Sequence, residues 1–361
     1  MRFSPCLRAS VVKFSMTKRV LVAMSGGVDS SLTAALLLRQ GFAVEGVTMK
    51  LASGLCCDIA SAQAVCSHLD VPHRVIDVQE AFSQNIIENF VSEYRHGRTP
   101  NPCIKCNDLI KFHLLLSFAR ENGFDFLATG HYARIEHDPA TDRFLLKKGI
   151  DAGKDQSYFL YRLTQDQLAH VLFPLGGMKK TEVREQARTL NLPAAERPES
   201  QEICFVPDNN YRAFLKEHAP EILKPGEIIM TDGKVVGKHN GIAFFTVGQR
   251  RKLGVAAGER LYVTRIEPEK SRVILGKLSE LQTKETAVSQ PHFIPFDELK
   301  TPLHVTAKIR YRSPFVPAKI EPAGPGRVQV IFDKPVAGVC PGQAAVFYEG
   351  DRVVGGGVIE V

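Results

Sequence analysis

Two stretches of this chain hold residue types that do chemistry. The first is SGGVDSS, Ser25 to Ser31, set between a short β-branched run and a helical pattern. Gly26 and Gly27 remove side chains where backbone must approach a phosphate, and Ser25, Ser30 and Ser31 place hydroxyls beside the amides of a helix N-terminus. That builds an anion cradle, although a plain capped turn would share the glycines. It is not a Walker A loop, because no Gly-Lys-Ser/Thr follows four residues after a first glycine. Asp29 is informative, since a carboxylate next to a polyphosphate makes sense mainly with Mg2+ between them.

The second stretch is a pair of cysteine sites about a hundred residues apart. Pro100 to Asn107 reads PNPCIKCN, with Cys106 just ahead of a helical pattern that begins near Asp108. A thiol there feels the positive end of a helix dipole, and Arg98 and Lys105 predict a further lowering of its pKa, as suits a nucleophile. Cys204, in ESQEICFVPDNNY, follows a charged, Pro-containing stretch and is expected at a loop edge facing the same cleft. One CxxC without a second pair or a spaced His pair disfavours zinc. Cys103, Cys106 and Cys204 together leave open a three-cysteine iron–sulfur cluster. Cys6, Cys66 and Cys340 are expected to be buried and structural; the adjacent Cys56 and Cys57 have no assigned role.

Alternating strand and helix patterns position these residues. Strands are predicted over Val20–Met24, Ala43–Leu51, His73–Val78 and Phe124–Thr129, with helices over Val28–Gln40, around Ile59 to Leu69, Ala81–Tyr94 and Asp108–Glu121. GRTPNPCIKCN is the loop between the last two helices. The fold class is therefore α/β, a doubly wound parallel sheet, with ligands at the carboxyl ends of its strands. After about Lys216 short strands punctuated by Gly and Pro predict a small β-rich middle domain. From about Glu280, HVTAKIRYRS, RVQVIFDKP and RVVGGGVIEV alternate apolar and polar residues and predict a closing β-barrel. The expected division is an extension over 1–17, a nucleotide-binding catalytic domain over 18–215, the middle domain over 216–279 and the barrel over 280–361.

Composition narrows the class. With 361 residues there is room for two or three domains, and no apolar run approaches the ~20 residues of a membrane span. The net charge of +7 suits a polyanionic partner, and eight cysteines in a chain this long read as thiols of a reducing compartment. The first 19 residues hold five Lys or Arg and no acid, the composition of a transit peptide, but Met16 lies just before the first strand and offers an alternative start. A cytoplasmic location is expected, or a mitochondrial one if residues 1–17 are a transit peptide.

SGGVDSS after a first strand resembles the PP-loop of the ATP pyrophosphatase superfamily, of adenine nucleotide alpha hydrolase-like fold. The order of SGGVDSS, GRTPNPCIKCN and EICFV further resembles the tRNA-specific 2-thiouridylase family, from about Arg19 to the C-terminus. The resemblance implies ATP-driven adenylation at C2 of the wobble uridine and replacement of its oxygen by sulfur, giving 2-thiouridine, AMP and diphosphate. It implies an ATP site at Ala23, Met24, Ser25, Gly26, Gly27, Val28, Asp29 and Ser30, with Met49 and Gly130 near the adenine. Carried over by position, Cys204 bears the persulfide and Cys106 resolves it through a transient disulfide. Many members have Asp where this chain has Cys103, so a role for that Asp does not transfer. Asn101, Pro102 and Cys103 would border the target base, with tRNA contacts from His131, Lys154, Asp155, Gln156, Arg310, Tyr311, Arg312 and Gln343. In KIRYRSP strand alternation would send the two arginines to one face. GQRRKLG, with Arg250, Arg251 and Lys252, reads as a phosphate-positioning cluster.

The implied partners are tRNA and a persulfide donor such as a cysteine desulfurase or relay protein, and the cofactors are ATP and Mg2+. Two other readings compete. A PP-loop ligase or amidotransferase needs no paired thiols, and a non-catalytic RNA-binding protein need not keep SGGVDSS intact.

Overall fold

The computed structural model describes residues 17–51, 58–198, 203–255 and 258–360. The expectations for the N-terminal extension, Cys6, Cys56 and Cys57 lie outside the described residues.

Five parallel strands form the first sheet: β1 (Arg19–Ala23), β2 (Ala43–Lys50), β3 (His73–Asp77), β4 (Phe126–Ala128) and, after an antiparallel hairpin of β5 (Ala133–Asp138) and β6 (Arg143–Lys148), β7 (Val171–Leu172). Their order is β3-β2-β1-β4-β7. Val20, Leu21 and Val22 are fully buried because both faces of β1 are covered. Leu21, Val47 and Leu127 pack into one core, whereas Val20, Val22, Val44 and Ala128 pack into another. The strand order reverses between β1 and β4, so the ligand crevice opens where Met24 and Thr129 leave the sheet.

The middle domain is a four-stranded sheet, β8 (Gly226–Met230), β9 (Val235–His239), β10 (Tyr262–Glu267) and β11 (Arg272–Gly276), in the order β10-β11-β8-β9. Ile228, Val263, Val273 and Leu275 fill its core. Six strands then close a barrel: β12 (Gln282–Phe293), β13 (Leu303–Lys308), β14 (Val316–Pro322), β15 (Arg327–Ala337), β16 (Ala344–Glu349) and β17 (Arg352–Ile359). They run β12-β15-β14-β13-β16-β17, and pairing of β12 with β17 joins the ends. The α/β sheet, β-rich middle domain and barrel are as expected.

Three local readings are corrected. The hairpin β5–β6, unforeseen in the sequence, leaves the nucleotide-binding domain and joins the barrel, with Lys147 opposite Arg352. The expected loop GRTPNPCIKCN is cut short, because a continuous helix runs over residues 102–121 with Pro102 at its first position, where fixed φ and the missing N–H suit a helix start. Its Cys106–Leu115 section is wound as π-helix, a form that tends to occur at functional sites. Lastly, β13 ends at Lys308, so Arg310, Tyr311 and Arg312 lie in a turn and do not share a strand face.

Candidate active site

The SGGVDSS loop forms as a cradle. Gly26 has φ +80°, and a Cβ there would stand 2.8 Å from the Asp58 carbonyl, so glycine is required. Ser25 N–H donates to Ser30 Oγ at 3.2 Å, and Ser31 Oγ donates to the Gly27 carbonyl at 2.8 Å, fixing the entry into the helix Val28–Arg39. Across the crevice, Gly130 packs so closely that a Cβ would meet Asp29 backbone at 2.9 Å. Met49 is buried in the core near the end of β2.

Asp29 is not free to face only a metal. Lys180 Nζ donates to both its oxygens, at 2.7 and 2.8 Å, and the Tyr132 hydroxyl donates to Oδ1 at 2.7 Å. A second cation closes the other side: Arg197 donates to the Gly26 carbonyl at 3.0 Å and to Asp58 at 2.7 Å. Hydrogen bonds from Ser61, then Arg197, hold the Asp58 carboxyl down at about 2. Lys180, Tyr132 and Arg197 were not read from the sequence, because they reach the loop from 103 to 171 residues away. The donor set fits Mg2+ brought with a nucleotide, for that ion takes one or two carboxylates and fills its shell with phosphate and water.

The thiols meet, but in a different setting from that expected. Cys106 is one turn inside its helix, buried, and burial pushes its thiol up to about 12 rather than down. Arg98 is committed to Glu93, with bonds of 2.8 and 2.6 Å. The cation that favours thiolate at Cys106 is Lys111, which also acts on Cys103 and His131. Cys103 is pushed up to about 11 by burial and then by the neighbouring Cys204. Cys204 also raises Cys106, so the three thiols lie within electrostatic reach of one another. Cys106 belongs to the packed core that also holds Phe82, Phe90 and Phe205, and Cys204 packs against that core. Beside them, the buried Asn107 donates to the Phe159 carbonyl at 3.2 Å and leaves its Oδ1 without a partner.

Among the described residues, no three His, Cys, Asp or Glu side chains are arranged to hold a metal ion. A three-cysteine iron–sulfur cluster at Cys103, Cys106 and Cys204 is thus not shown by the arrangement of the described side chains. Cys66 and Cys340 are buried free thiols, as expected.

Several residues expected to contact tRNA also make hydrogen bonds within the fold. Asp155 is 7% exposed and accepts from Gly149 N–H, Ser157 N–H and the Ser157 hydroxyl at 3.0 to 3.1 Å. Gln156 brackets Tyr132, accepting from its N–H and donating to its carbonyl, both at 2.9 Å. His131 is buried against Phe112 and Phe173, bonded to Thr129 Oγ1 at 2.7 Å, and burial lowers its pKa well below the usual value. Arg310 donates to the Val247 carbonyl of the middle domain at 2.6 Å. Gln343 donates to the Thr99 and Pro100 carbonyls at 2.9 and 3.1 Å, clamping the loop that presents Asn101. Tyr311 packs on Phe159, centroids 4.4 Å apart, while Lys154 is half-buried and Arg312 is exposed.

Comparison with known proteins decides the family. Residues 18–208 match the tRNA methyl transferase HUP domain, 212–277 the tRNA methyl transferase PRC-barrel domain and 283–359 the Aminomethyltransferase beta-barrel domain. The tRNA-specific 2-thiouridylase MnmA of Halothermothrix orenii is 48% identical over 354 residues, 95% of this chain and 99% of its own. The chain belongs to the tRNA-specific 2-thiouridylase family. Its counterpart in Acetivibrio thermocellus is 46% identical over 356 residues, again 95% of this chain and 99% of its own. Among solved structures, the U34-tRNA thiolase NcsA of Methanococcus maripaludis is similar over 56% of this chain and 67% of its own, at 20% identity and a TM-score of 0.34, too distant to bear on the site. Among the described residues no helix is long and apolar enough to cross a membrane.

Proposed function

We propose that this chain is a tRNA-uridine 2-sulfurtransferase that uses ATP and a persulfide to convert the wobble uridine to 2-thiouridine. The observation that carries the reading is that Cys106 and Cys204, 98 residues apart, pack on one core within electrostatic reach of each other, in a domain whose sheet also ends on the phosphate cradle.

The cradle holds ATP with its phosphates over the Gly26–Gly27 turn, and Met49 and Gly130 border the adenine. Lys180 and Arg197 supply positive charge there. Asp29 would hold Mg2+ brought with the nucleotide, which would supply positive charge beside the phosphates. Asn101, Pro102 and Cys103 border the target base, whose O2 attacks the α-phosphorus as diphosphate leaves. The terminal sulfur of a Cys204 persulfide then attacks C2, and AMP departs with the original oxygen. Cys106, as thiolate, attacks Cys204 Sγ; the sulfur–sulfur bond to the base breaks, its electron pair stays on the new thiocarbonyl, and a Cys106–Cys204 disulfide forms. A thiol reductant restores both cysteines, which places the enzyme in a reducing compartment: the cytoplasm, or mitochondria if residues 1–17 are a transit peptide. The persulfide comes from a cysteine desulfurase or a relay protein.

The test is mass spectrometry of nucleosides from unmodified tRNA incubated with ATP and a persulfide donor. The expected product is 2-thiouridine with one AMP released per base. Cys204→Ser and Cys106→Ser each abolish it, and normal thiolation in Cys204→Ser would overturn the persulfide assignment.

A further inference from the structure

The basic segment GQRRKLG has no part in the site above, and in the fold it does not stand alone. The helix Tyr211–His218 contributes Arg212 and Lys216, the end of β9 contributes Lys238, and the following loop contributes Arg250, Lys252 and Arg260. These side chains line two adjoining hollows that share Lys252, Leu253 and Gly254. Five of the six are exposed, and Arg212 is half-buried. The acid of the lining, Glu259, is already paired with Lys277 at 3.3 Å. None of the six cations has an ion-pair partner among the described residues, whereas Arg74, Arg98, Arg120 and Arg162 each hold a carboxylate. With its one acid already paired, the groove carries six cations without carboxylate partners, a local positive excess.

Two further observations say what would lie there. Phe244, half-buried in the lining, sits under the Arg212 guanidinium at 5.6 Å and the Lys216 ammonium at 5.8 Å, and Arg212 is fixed by donating to the Phe244 carbonyl at 2.7 Å. A ring among cations suits a chain of phosphates and bases. The groove also adjoins the loop that presents Asn101: two residues past Phe244, Thr246 Oγ1 accepts from Thr99 Oγ1 at 3.3 Å, and the next carbonyl, of Val247, is held by Arg310. An RNA that inserts one base beside Asn101 must carry its backbone onward from that point.

We propose that this groove binds the phosphate backbone flanking the target base; the proposal rests on the tRNA reading above. The test measures affinity for unmodified tRNA by fluorescence anisotropy across roughly 0.05 to 0.3 M salt. In K238Q/R250Q/K252Q, the expected Kd rises about tenfold or more at the low end, and the log–log salt slope becomes shallower by about 2, since each lost phosphate contact removes about 0.7 to 0.9. ATP affinity stays unchanged, which shows that the variant is folded. A matched control on exposed barrel lysines, K284Q/K300Q/K334Q, keeps the wild-type slope. An unchanged slope in the groove variant, or an equal loss in the control, overturns the proposal. So does intact tRNA binding combined with a defect seen only when a donor protein, not a small persulfide, delivers the sulfur; the groove would then dock that protein. Absence of 2-thiouridine from the wild-type reaction would sink the functional reading, while the slope comparison would still decide the groove.

Discussion

Lys180 places its ammonium across both oxygens of Asp29, at 2.7 and 2.8 Å, with its own side chain only 10% exposed. A buried cation facing a phosphate cradle has a second anion to turn to when nucleotide arrives, and Asp29 is then released toward Mg2+. Lys180→Met is expected to weaken ATP binding about tenfold or more, the scale of one charge-assisted contact, and to lower Tm because Asp29 loses its countercharge. Nucleotide titration and thermal melting check both; undiminished ATP affinity would reduce Lys180 to a brace for Asp29.

Cys106 is pushed up to about 12 by burial, with Lys111 opposing that rise. The thiol is therefore protonated near neutrality, and its ionised fraction grows about tenfold per pH unit below the pKa. Alkylation of Cys106 followed by mass spectrometry should accelerate with a slope near one across pH 7 to 9. Lys111→Met raises the pKa further and slows alkylation at every pH in that window. A rate already level at pH 7 would show that the thiol is ionised there.

Stability has a pH limb of its own. Cys66 is raised to about 11 by burial, so the folded chain holds that proton more tightly than the unfolded chain. The contribution is complete below about pH 9 and is lost as pH rises through 11. Denaturant midpoints should fall over that interval, and less so in Cys66→Ala; equal declines in both would assign the limb to other groups.

Gly46 touches the same sulfur. A Cβ at Gly46 would stand 2.5 Å from Cys66 Sγ and 3.1 Å from Met24 Cγ. Gly46→Ala is expected to cost about 1 to 3 kcal/mol by overpacking, and Cys66→Ala in the same chain should recover part of it. Chemical denaturation of the four members of that double-mutant cycle measures the coupling, and additive effects would show that strain is relieved elsewhere.

Gln343→Ala removes two hydrogen bonds to the Thr99–Pro100 loop. Turnover of tRNA is expected to fall severalfold with Kd for tRNA nearly unchanged, because the clamp orients the base pocket without holding the polymer. A large loss of tRNA affinity instead would make Gln343 a direct contact.

The parallel sheet was legible because β1 is a continuous apolar run that ends on two glycines, a local pattern with one physical solution. The barrel was legible from period-two alternation in HVTAK and RVQVIF. The start of the thiol helix was not, since Pro102 was read as part of a loop although proline also opens helices. The pKa of Cys106 was misread for the same reason: a residue placed at a helix end feels its dipole, whereas one placed a turn inside feels mainly its burial. Lys180, Tyr132 and Arg197 left no signal, because tertiary closure over more than a hundred residues has no sequence period. Arg310 and Asp155 entered the reading through the family resemblance, and the backbone groups that they bond within the fold left no mark in the sequence.

The tie from Gln343 to residues 99 and 100, with Thr99 N–H donating to the Pro341 carbonyl at 2.9 Å, makes the far end of the polypeptide an architect of the reaction chamber. A version truncated before residue 280 would keep the nucleotide turn and both sulfurs while losing the wall that shapes their doorway. Shortening this enzyme from its tail would therefore disarm it well before any reactive group was removed.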